Sequence, residues 1–110
     1  MKISTIATAL VLAFAALAAS ASPIQVKITD GYVMCASQAN LQTVVELAKD
    51  DDKQALAAFL ADESNLCGEA LPGEVFYVED IDTDEGMVQL RAKGKTISVW
   101  TIKEAIEPVK

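Results

Sequence analysis

Asp80, Asp82 and Asp84 stand at alternate positions of this 110-residue chain. An EF-hand loop begins to gather oxygen ligands around calcium with that spacing. The rest of such a loop is missing. Glu85 occupies the place that requires Gly, and Arg91 the place that requires a bidentate Glu. The flanks also read as strands rather than helices. The pattern therefore predicts a solvated acidic hairpin loop, with Asp80, Asp82, Asp84 and Glu85 offered to a basic partner. No metal and no cofactor is expected.

Other acids could do chemistry. Glu74 and Glu79 are a candidate carboxylate pair of the kind glycosidases use. The chain has no His, which removes Ser-His and Cys-His relays and the usual zinc ligands. So short a chain rarely builds the long cleft that carboxylate enzymes need, and no enzymatic activity is expected. Cys35 and Cys67 are the only cysteines. They lack CxxC spacing, so a disulfide is expected in an oxidising compartment. Closing a loop of this length stabilises a small domain by roughly 3–4 kcal/mol.

The compartment is read from the start of the chain. Lys2 precedes an apolar run from Ile6 to Leu17, broken only by Thr8, and Ala19-Ser20-Ala21 follows. This is the pattern of a secretory signal peptide over residues 1–21. The run is too short to span a bilayer of ~30 Å, and no Cys stands at its end, so no lipid anchor is expected. The expected mature protein is one domain, 22–110, periplasmic or secreted.

Charge narrows the partners. The net charge is −7. Asp30 to Gly86 holds 14 acidic residues against Lys49 and Lys53, whereas Met87 to Lys110 holds five basic residues against Glu104 and Glu107. Nucleic acid and anionic lipid both reward clustered Lys and Arg, so neither is expected. A basic protein fits better. The plainer reading is that acidity keeps a small exported protein soluble.

The elements that must position these residues follow from periodicity. Ile24 to Ile28 alternates as a half-buried strand, and Tyr32 to Met34 is a short apolar run. Leu41, Val44, Val45 and Ala48 form one helical stripe, with Ser37 as its cap. Asp50-Asp51-Asp52 breaks that helix and suits the start of a second, which carries Leu56, Phe59 and Leu60. The pair predicts an αα-hairpin with the cysteines at its two feet. Glu74–Ile81, Val88–Lys93 and Lys95–Thr101 read as a three-stranded meander. Thr101 to Glu104 matches a capping box for a short helical turn that Pro108 ends. The fold class expected is α+β.

Within that meander, Leu71-Pro72-Gly73-Glu74-Val75-Phe76-Tyr77-Val78, the hairpin to Val88-Gln89-Leu90-Arg91 and the close at Val99-Trp100-Thr101 resemble a bacterial SH3-like domain. Such domains often place Gly before the first strand and a Trp before a one-turn helix. Ser98 and Val99 stand where the family usually has Gly. The resemblance implies a small antiparallel barrel with the disulfide-clipped helical hairpin inserted. The chain is also similar to small exported proteobacterial proteins in which two cysteines bracket such a hairpin. Two functions are expected in order: masking or inhibiting a basic envelope protein, or binding cell wall (peptidoglycan) or peptide. Trp100 is read either as core packing or, in service of the second function, as a partner-binding aromatic platform with Tyr77 or Tyr32.

Overall fold

The computed structural model describes residues 24–109. The expected signal peptide, 1–21, lies outside the described residues. Seven strands form one antiparallel sheet in the order β3-β2-β6-β5-β4-β1-β7. They are β1 (Gln25–Ile28), β2 (Val33–Cys35), β3 (Cys67–Glu69), β4 (Val75–Asp82), β5 (Met87–Ala92), β6 (Ser98–Ile102) and β7 (Ile106–Pro108). Helices α1 (Gln38–Lys49) and α2 (Lys53–Ala61) follow β2. The architecture is α+β, with the sheet curled into a half-barrel.

Alternation along the strands builds two cores, one on each face. Val26, Phe76, Val88, Leu90 and Ala92 form the first, joined by Met34, Ala70 and Ile106. Ala70 follows β3 and Ile106 belongs to β7, the two opposite edges, so this core fills the concave side. Cys35, Leu41, Val44 and Met87 form the second, where Leu56, Phe59, Leu60, Trp100 and Ile102 pack. The helices thus cover part of the convex face. Each shared strand feeds both cores: Met34 and Val99 go inward, Cys35 and Trp100 outward.

The local signals act as their chemistry requires. Ser37 caps α1 by accepting from the Asn40 N–H. Asp52 caps α2 by accepting from the Ala55 N–H. Asp51 takes a left-handed φ of 55° in the tight connection, a conformation Asp tolerates better than most residues. Cys35 and Cys67 are register partners on β2 and β3, with Cα atoms 4.1 Å apart. They stand at disulfide distance beside both feet of the helical pair.

Four sequence readings need correction. The described residues form seven strands rather than five, because β3 and β7 are only three residues long and too short to display a period. Pro108 does not end a helical turn; it closes β7 at the sheet edge, where its missing N–H is harmless. Thr101 does not cap the 3-10 turn Lys103–Ala105, which has no side-chain cap. It is fully buried and its hydroxyl donates to the Val33 carbonyl at 2.9 Å, fastening β6 to β2. Ile97 lies before β6, 69% exposed, rather than within the strand.

Candidate functional site

A bulge in β4 sets up the acidic region. Val78 pairs with Leu90 and Asp80 with Gln89, so two steps on β4 oppose one on β5. Glu79 is the extra residue. The bulge lets Glu79 and Asp80 both lie on the convex side while Ile81 returns to the face of its partner Val88. Asp82 then falls on the convex side opposite Met87. Thr83 to Gly86 turns the chain, and Gly86 adopts a left-handed φ of 67° that suits a residue without Cβ.

The hairpin tip is tied on both sides. Gln38, the first residue of α1, donates from Nε2 to Asp82 Oδ2 at 2.7 Å. Asp82 Oδ1 accepts from the Glu85 N–H at 3.2 Å. These bonds, the Gln38 one foremost, hold the Asp82 carboxyl below its ordinary pKa. On the other side the Gly86 carbonyl accepts from the Lys103 N–H at 2.9 Å. Asp80, Asp84 and Glu85 remain exposed, and no ion pair among the described residues involves them or Asp82.

The structure brings Trp100 to the same face as these acids. Asp80 pairs with Gln89, Gln89 with Trp100, and Trp100 with Cys35. Asp80 and Trp100 therefore flank Gln89 in one row, about 10 Å apart at the usual strand spacing. Trp100 is half-buried against the helical core rather than free-standing. Tyr77 occupies a neighbouring row on that face, with the Arg91 guanidinium 5.1 Å from its ring centre. Tyr32 lies elsewhere, in the wall of a groove beneath the helices.

The two candidate catalytic acids, Glu74 and Glu79, are engaged. Glu79 pairs with Arg91 at 3.3 Å and also accepts from the Ser98 hydroxyl. Glu74 accepts from the Leu71 N–H and lies 3.9 Å from Lys95. Each candidate catalytic carboxylate has its own ion pair, which is a structural use for it. Among the described residues no group of His, Cys, Asp and Glu could hold a metal ion, so the Asp80-Asp82-Asp84 spacing does not converge. No helix among them is long and apolar enough to cross a membrane.

Sequence reasoning missed the groove and Gln38. The groove is about 570 Å³, open, and runs between the helices and the end of the convex face. Leu41, Val44, Leu56, Leu60, Met87 and Ile102 supply most of its apolar lining. Its charged lining residues are Glu85, Glu104 and Lys49. The helical stripes announced Leu41, Val44, Leu56 and Leu60 as core but gave no sign that they stop short of closing. Gln38 carried no signal either, since its partner is 44 residues away.

The chain matches no protein-family model, no curated protein and no solved structure.

Proposed function

We propose that this chain is an exported, non-enzymatic binding module that masks or inhibits a basic protein of the envelope. The observation that carries the reading is the hairpin Asp80 to Glu85. Asp80, Asp84 and Glu85 are exposed there without an ion-pair partner among the described residues. Bonds donated by the Gln38 side chain and the Lys103 N–H hold the tip that presents them. A fixed cluster of unpaired carboxylates steers a cationic partner and speeds encounter. The signal-peptide pattern and the cysteine pair support export to the periplasm or medium, after cleavage before Ser22.

The finer fold belongs to the same proposal. An SH3-like barrel is supported by the meander β4-β5-β6, by the 3-10 turn directly after it, and by the return of β7 to pair with β1. On that reading β2, both helices and β3 are an insertion between the first and second barrel strands.

A second reading has its own observation. Trp100, Gln89, Arg91 and Tyr77 share one face, a mixture of rings and planar polar groups suited to a cell-wall glycan or a peptide. Salt separates the two. Binding of a small cationic protein should weaken at least about tenfold between low and physiological salt if the carboxylates carry it. Binding of soluble peptidoglycan fragments that ignores salt would favour the aromatic face.

A further inference from the structure

The groove beneath the helices has a floor and a lip of different chemistry. Its floor is apolar: Leu41, Val44 and Met87 of the second core, with Ile102 beside them. Leu56 and Leu60 form the α2 wall. Its lip at the sheet end is acidic. The bond from the Lys103 N–H to the Gly86 carbonyl joins the hairpin tip to the 3-10 turn. Glu85 precedes Gly86 and Glu104 follows Lys103, and both residues line the groove and are exposed. Lys49, at the end of α1, is its one basic lining residue among the described residues, and Lys103 stands exposed on the turn without lining it. Two like charges beside one opening repel each other, and a bound cation relieves that repulsion.

Charge selects the occupant. A second copy of this chain docked groove to groove would bring Glu85 and Glu104 onto the same acids. An anionic lipid or fatty acid would meet two acidic lining residues, Glu85 and Glu104, against one basic one, Lys49. The size, within the 300–1,000 Å³ of ordinary ligand sites, takes about two or three large apolar side chains. We propose that the groove receives an amphipathic segment of the partner, whose apolar residues enter beneath α1 and α2 while flanking Lys or Arg side chains meet Glu85, Glu104 and Asp84. This rests on the acidic-binding reading above and adds an anchor to it. The carboxylates of the hairpin steer, and the groove holds. Helix-in-groove recognition has this division, with anchors at i, i+3, i+4 and i+7.

Ala48 offers a way to fill the groove without removing core. It lines the groove yet is exposed, on the last turn of α1. The test uses the purified exported protein and three fluorescent peptides. One carries Leu at the helical anchor positions and Lys elsewhere. In the second every Leu is Ser, with the charge kept. In the third every Lys is Glu, with the Leu kept. The Leu–Lys peptide should bind at least about tenfold tighter than the Ser–Lys peptide, and the Leu–Glu peptide should not bind. Ala48→Trp should reduce the Leu–Lys peptide to the affinity of the Ser–Lys peptide and leave the latter unchanged. Should that variant misfold, the methyl resonances of Met87, Leu60 and Ile102 in the unaltered protein decide. They should shift with the Leu–Lys peptide and not with the Ser–Lys peptide. Equal, salt-sensitive binding of both Lys peptides overturns the groove and leaves the acidic reading standing. No binding of either overturns both. Tight binding of the Leu–Glu peptide makes the groove a site for apolar or acyl ligands instead. A dimer that Ala48→Trp dissociates makes a second copy the occupant.

Discussion

Gln38 and Asp82 are 44 residues apart in sequence and joined by a 2.7 Å hydrogen bond. It fastens the tip of the acidic hairpin to the first turn of α1. The bond belongs to the ionised carboxylate, which explains why the Asp82 pKa lies below its ordinary value. A carboxyl depressed in the folded state stabilises the fold above its unfolded pKa, about 3.9. That contribution is lost as pH falls through the lower folded value. Thermal unfolding of Asp82→Asn should therefore show a lower midpoint than the parent at pH 7, with the gap closing below about pH 4. A gap that persists unchanged into acid would assign the bond no charge-dependent role.

The cysteine pair predicts a larger effect. Cys35 and Cys67 face each other across β2 and β3, and Cys35 is wholly buried in the second core. Reduction should lower the unfolding midpoint by more than about 10 °C, since roughly 3 kcal/mol of loop-closure entropy returns to the unfolded chain. Two thiols titrating in the native, unreduced protein would contradict the pairing.

Export itself is checked by mass. The Ala19-Ser20-Ala21 pattern predicts a protein beginning at Ser22 in the periplasm or medium. Intact-mass measurement of material from those fractions should find that species. A protein that keeps Met1 and stays inside the cell would contradict export and remove the argument for an oxidising compartment.

Trp100 tests how the convex face is divided between folding and binding. The ring packs beside Cys35, Leu41, Val44 and Met87 yet is not fully buried. Trp100→Ala should cost about 2–3 kcal/mol, at or below the lower end for a fully buried ring. Denaturant unfolding measures this directly. A variant as stable as the parent but unable to bind would move the ring from the core to the ligand.

Periodicity made much of this fold legible. Val88, Leu90 and Ala92 announced a strand with one buried face, and all three are buried in the concave core. Leu41 and Val44 announced the buried stripe of α1, and Ser37 its cap. Asp52 was legible as a helix start because its carboxylate has one obvious local use. The rest depended on distant contacts. Nothing near Thr101 marks its hydroxyl for Val33, and nothing near Ile106 shows that it will pair with Ile28. The candidate site was half legible. The acids of the hairpin could be read in order, but their convex placement needed the bulge at Glu79, and the groove needed helices and sheet together.

The central claim is that exposed carboxylates of the β4–β5 hairpin steer a basic partner. Asp82 is left intact because it holds the loop. Asp80, Asp84 and Glu85 are replaced together by Asn, Asn and Gln, which should change the unfolding midpoint little, since exposed charges contribute little to stability. The decisive measurement is the association rate with a small cationic protein such as a lysozyme, from low to physiological salt. The parent should associate about tenfold or more faster at low salt, and the triple variant should lose most of that acceleration. Equal rates and equal salt dependence in parent and variant would contradict the account.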